Sequence, residues 1–139
     1  MHSETLAKPS SVFLVEDHGG FRHQVAQLLA DEVGLRVVGE AASAEDVLAT
    51  LSEQLPSLLL VDIALPGMNG IQLVQRLRKR HNIACLILTD HDAPDYRILA
   101  ERAGARGFVP KGNPEVLLEA VRQVLSGGDY WQPPPDSLN

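Results

Sequence analysis

Apolar residues fall along this chain in two alternating patterns: short unbroken runs, and longer stretches in which they recur every three or four positions. The runs at 12–15, 58–61 and 83–88 are too short for confident helices and read as strands buried on both faces. Two briefer segments, 35–39 with Val37 and Val38 and 107–109 around Phe108, make five strands. Between them Phe21, Val25, Leu28 and Leu29 mark a first helix, with Val33 and Gly34 expected to close it. Ser43 suits the N-cap of a second helix striped by Ala44, Val47, Leu48 and Leu51. Ile71, Val74 and Leu77 define a third. A fourth starts near Pro94 and is expected to turn Tyr96, Leu99, Ala100 and Ala103 inward, leaving Ile98 outside. Leu117, Val121, Val124 and Leu125 line the fifth, at 115–126, which Gly127 and Gly128 stop. Strands alternating with helices through short links imply an α/β fold, a doubly wound (βα)5 parallel sheet of order 2-1-3-4-5.

Composition narrows this without naming a function. A chain of 139 residues is one ordinary domain, and 45% apolar with 22% charged residues is neither disordered nor membrane-spanning. The polar N-terminus lacks the apolar core of a secretory signal, and the single cysteine, Cys85, fits a reducing cytoplasm and an inert place in the core. A net charge of -6 argues against direct nucleic-acid binding. The cluster Arg76, Arg78, Lys79, Arg80 and His81 is best read as cations favoured at a helix C-terminus. No two of His18, His23 and His91 have a zinc spacing, so they read as surface residues. Residues 1–10 read as a flexible N-terminus, 11–128 as the domain, and 129–139, with Pro133, Pro134 and Pro135, as a linker or tail.

The chemistry lies at the strand ends. The central run stops on Asp62, followed by the turn-forming Pro66, Gly67, Asn69 and Gly70. The first strand ends in Glu16 and Asp17, the fourth in Thr89, the fifth near Lys111. A parallel sheet opens all these ends on one edge, where α/β folds place their ligand crevices. Crowded carboxylates repel unless a cation joins them, and hard oxygen ligands suit magnesium, which completes its shell with water and phosphate oxygens. A phosphoryl group on Asp62 would be such a ligand, with Lys111 and Thr89 placed to hold its other oxygens.

With these motifs (Val15-Glu16-Asp17, Asp62 with Pro66 and Gly70, Thr89, and Lys111 after Phe108), the chain resembles the receiver domain of two-component response regulators over nearly its whole length. Residues 38–41 and 103–108 resemble the subgroup carrying a LuxR-type helix-turn-helix output domain. The resemblance implies a flavodoxin-like fold and phosphorylation of Asp62 by a histidine kinase or phosphotransfer protein. It further implies Mg2+ held by Glu16, Asp17, Asp62 and the backbone carbonyl of Ala64, and a switch formed by Thr89 and Phe108. It implies a cytoplasmic signalling protein that is no enzyme beyond its own phosphorylation and dephosphorylation, with a homodimer admitted, and either transcription regulated through an output domain not in this sequence or a receiver that stands alone. Three positions depart from the pattern: Asp90 stands where the family has a small residue, Phe108 has no hydroxyl, and Gly112 replaces a frequent proline. Asp90 keeps open a second reading, a pseudo-receiver acting by protein contact without phosphorylation. A flavin or phosphatase-like enzyme fits poorly, because Glu16 and Asp17 repel phosphate where a phosphate loop would stand.

Overall fold

The computed structural model describes residues 8–51, 55–90 and 94–131. In chain order its elements are β1 (Ser10–Val15), α1 (Gly19–Ala30), β2 (Leu35–Ala41), α2 (Ala44–Thr50), β3 (Leu58–Asp62), α3 (Gly70–Arg78), β4 (Ala84–Thr89), α4 (Pro94–Ala103), β5 (Gly107–Pro110), α5 (Pro114–Leu125) and β6 (Tyr130–Trp131). All strand pairs are parallel, in the order β2-β1-β3-β4-β5-β6. The first five strands stand as the alternation requires.

Successive side chains of a strand point to opposite faces, and both faces of this sheet are covered. Phe13, Val15, Leu59, Val61, Cys85, Ile87 and Phe108 pack under α2, α3 and α4. Val12, Leu14, Leu58, Leu60, Leu86, Leu88 and Val109 pack under α1 and α5. Every residue of β3 is buried, as an unbroken apolar run at the centre of a two-faced sheet must be. Burial pushes the Cys85 thiol up to about 12, so this cysteine is core.

Side chains set the helix starts. Ser43 accepts from the Asp46 amide, and Asn113 accepts from the Val116 amide with Pro114 at the first helical position. Asn69 and Gln72 form a reciprocal capping box at α3. His18, expected to be an ordinary surface residue, caps α1 by accepting the Phe21 amide on Nδ1 at 3.1 Å. Gly70 lets α3 approach the end of β3: a Cβ there would lie 2.4 Å from the carbonyl oxygen of Asp62. Any larger residue would push the helix off that strand.

Three expectations need correction. The first helix ends at Ala30, and Val33 with Gly34 belongs to the turn into β2, where the Leu35 amide donates to the Glu32 carbonyl and Val33 is 92% exposed. Among the described side chains of α4, Ala100 and Ala103 reach the core, while Tyr96 and Leu99 stand exposed beside Ile98. The two small side chains bring this helix down on a narrow strip that leaves the bulky ones outside. Finally, Tyr130 and Trp131, read as tail, form β6 against β5, pairing with Gly107 and Phe108. Arg106 secures that strand. Its guanidinium donates to Asp129 Oδ1 at 2.5 Å and to the Gly127 carbonyl at 2.7 Å, and its own carbonyl accepts the Tyr130 amide.

Candidate functional site

Strand order reverses between β1 and β3, and their carboxyl ends lie side by side there, with Val15 paired to Val61. Glu16 follows directly on the one and Asp62 ends the other. Thr89 ends β4 and Lys111 follows β5, with the Lys111 amide donating to the Thr89 carbonyl at 2.8 Å. Four chemically active residues scattered from 16 to 111 therefore occupy one edge of the sheet. Gly112, with a φ of 93° that suits glycine, turns the chain away from Lys111 into the cap of α5.

Lys111 is the hub. Its Nζ lies 2.8 Å from Glu16 Oε1, 3.2 Å from Asp62 Oδ2 and 4.0 Å from Asp90 Oδ2. It also stands 4.9 Å from the centre of the Phe21 ring, a cation–π distance. Asp62 is 2% exposed, and its Oδ1 accepts the Ala64 amide at 3.1 Å. That bond fixes one carboxylate oxygen against the loop and leaves the other to the lysine. Thr89 and Phe108 are equally buried, Phe108 lying in β5 between Ile87 of β4 and Trp131 of β6.

The acidic pair divides. Glu16 is fully buried; its Oε2 accepts the His18 amide at 3.0 Å, and Arg22 donates to its carbonyl at 2.7 Å. Asp17 is exposed. Burial pushes the Glu16 carboxyl above the usual glutamate range, and the Asp62 charge adds to this, while Lys111 and the His18 amide pull the other way. Burial acts to lower the Lys111 ammonium, but the Glu16 and Asp62 carboxylates outweigh it and hold it above the usual lysine value. Arg22, which also pairs with Glu40 at 3.3 Å, and His18 join this site without any motif that marks them in the sequence. The available signal was their position in the first turn of α1, facing back to the end of β1.

Glu16, Asp17 and Asp62 each offer an oxygen within 4.8 Å of the others. Three hard anionic donors at that spacing, with a single ammonium against them, form a set that fits a small divalent cation such as magnesium. The backbone of Ala64, two residues beyond Asp62 and exposed, flanks the cluster. The basic cluster at the end of α3 takes no part in the site; there Arg78 donates to the Arg102 carbonyl and helps close α4. His91 lies outside the described residues.

The model of the response regulator receiver domain matches residues 12–122. The chain is 38% identical over 125 residues to the transcriptional activator protein ExaE of Pseudomonas putida, covering 88% of this chain and 58% of that one. It is also 38% identical over 124 residues to the transcriptional regulatory protein UhpA of Salmonella typhimurium, with 88% and 62% covered. The chain thus spans about three-fifths of the length of these curated relatives. Among solved structures, a LuxR-family response regulator from an Aurantimonas species superposes with a TM-score of 0.85 at 30% identity, over 93% of this chain and 92% of that one. The receiver domain of the NarL response regulator from Mycobacterium tuberculosis gives 0.82 at 28% identity, over 87% and 99%. The matched span contains Glu16, Asp17, Asp62, Thr89, Phe108 and Lys111, and the chain belongs to the response regulator receiver domain family, in its LuxR-type subgroup.

Proposed function

We propose that this domain is a phosphoacceptor switch in which Asp62 takes a phosphoryl group from the phosphohistidine of a kinase or phosphotransfer protein. The observation that carries the reading is the contact of Asp62 Oδ2 with Lys111 at 3.2 Å, on an edge where Glu16 and Asp17 also converge. An Asp62 oxygen forms the new bond to phosphorus as the phosphorus–nitrogen bond breaks, and the electron pair stays on the imidazole. The hydrogen bond from the Ala64 amide holds the carboxylate in one orientation during the attack. Lys111 compensates the charge on the transferred group, and the Thr89 hydroxyl accepts the task of binding one of its oxygens. Glu16, Asp17, Asp62 and the Ala64 carbonyl would hold Mg2+, which when bound supplies positive charge to the phosphoryl oxygens.

An apolar groove of ≈ 300 Å³ between α1 and α5, lined by Phe21, Val25, Leu28, Pro110 and Leu117, runs beside Lys111 and suits the docking of a phosphodonor helix. Withdrawal of Thr89 toward the phosphoryl group would free space for Phe108, coupling the site to α4 and β5. The output is then transcription control through a helix-turn-helix domain beyond this sequence, or through a homodimer, in the cytoplasm. Among the described residues no helix is long and apolar enough to cross a membrane. In this reading the domain catalyses only its own phosphorylation and dephosphorylation.

A small-molecule phosphodonor with Mg2+ should label the protein with a base-labile acyl phosphate. Asp62→Asn should abolish that label. Full labelling of the variant would overturn the assignment.

A further inference from the structure

We infer that Asp90 is a positioning residue that holds down occupancy of the phosphorylated state by competing for Lys111; this rests on the reading of Asp62 as acceptor. Asp90 directly follows β4, and its Oδ2 stands 4.0 Å from Lys111 Nζ. The same ammonium already faces Glu16 at 2.8 Å and Asp62 at 3.2 Å. Three carboxylates therefore share one cation before any phosphoryl group arrives. A phosphoryl group on Asp62 replaces one negative charge by about two and draws on the same lysine.

The three carboxylates are not equivalent. Glu16 and Asp62 are buried and fixed by backbone amides, so neither can yield. The Asp90 side chain is 70% exposed, with no comparable hydrogen bond among the described residues. Among the described residues it is the most exposed carboxylate of the set, and so the one best able to approach or leave Lys111. With both within contact range of one ammonium, the Asp62 and Asp90 carboxylates lie no more than roughly 7 Å apart, close enough for repulsion to act across the mouth of the site. The charge of Asp90 thus opposes phosphorylation in two ways: it occupies part of the lysine and it repels the incoming anion. Solvent and salt limit the effect to about three- to tenfold in affinity for a phosphoryl mimic.

The test titrates beryllofluoride with Mg2+ into the 139-residue chain by calorimetry, at low salt and at about 1 M salt, where screening reaches contact range. Asp90→Asn and Asp90→Ala should both bind the mimic about three- to tenfold more tightly than wild type at low salt. Asp90→Glu, which keeps the charge, should stay near wild type, and the differences should shrink at high salt. Circular dichroism melts should show all variants folded. Equal affinity in wild type, Asp90→Asn and Asp90→Ala would overturn the inference while leaving Asp62 as acceptor. Tightening in Asp90→Ala alone would also overturn it, because volume rather than charge would then be responsible. Failure of every folded chain to bind, or equal binding by Asp62→Asn, would instead overturn the acceptor reading and this inference with it.

Discussion

Glu16 and Asp17 are neighbours with the same charge and opposite surroundings. Glu16 lies at the base of the site, tied to Lys111 and the His18 amide; Asp17 faces water. The acidity at this strand end was readable from the sequence because a parallel sheet sends every strand end to one edge. Which of two adjacent acids turns inward was not, since that depends on how the chain leaves β1 for the His18-capped helix. The raised Glu16 carboxyl has a consequence for stability. A carboxyl whose folded value lies above its ordinary 4.5 contributes stability below that pH and loses it as pH rises through the folded value. In chelator, Glu16→Gln should therefore melt together with wild type below the ordinary glutamate value and progressively higher than wild type as pH rises past that value. A gap that narrows or reverses with rising pH would show that the ion pair to Lys111 outweighs burial.

Elements differ in how openly the sequence declares them. The three unbroken apolar runs lie in β1, β3 and β4 because a short run apolar at every position has only a two-faced sheet to hide in. Helix α4 departs from its apolar spacing on the inward face, because spacing counts apolar positions but not the width of the surface beneath them. Docked through Ala100 and Ala103, it leaves Tyr96, Ile98 and Leu99 in water. Ile98→Lys should accordingly change unfolding free energy by less than about 0.5 kcal/mol in urea titration; a larger loss would mean that Ile98 is buried in solution, by a second copy or otherwise. At α3 the opposite holds. Gly70→Ala places a methyl 2.4 Å from the Asp62 carbonyl and 3.0 Å from Ile63 Cα, both backbone atoms. Although alanine favours helix by about 1 kcal/mol, overpacking should dominate and destabilise the fold by about 1–3 kcal/mol. Stability equal to wild type would show that α3 can retreat from β3 without loss.

At the scale of the molecule, the sheet order brings residues 16, 62, 89 and 111 together, and this much followed from alternation alone. The sixth strand did not, because two aromatics ahead of three prolines carry no strand periodicity. Yet Tyr130 packs toward the α1–α5 face and Trp131 toward the other, so the pair straddles the rim of the sheet. Its effect is protective. A bare β5 would offer unpaired amides and carbonyls as a template on which a strand from another molecule could add, the route by which sheets polymerise. The family match stops at residue 122, and a chain ended at 128 would keep all of it while stripping that cover. Such a chain should retain its helix content by circular dichroism but sediment as larger, concentration-dependent oligomers than the 139-residue form. Identical sedimentation of the two would mean that β5 resists strand addition unaided, with Pro110 as its gatekeeper.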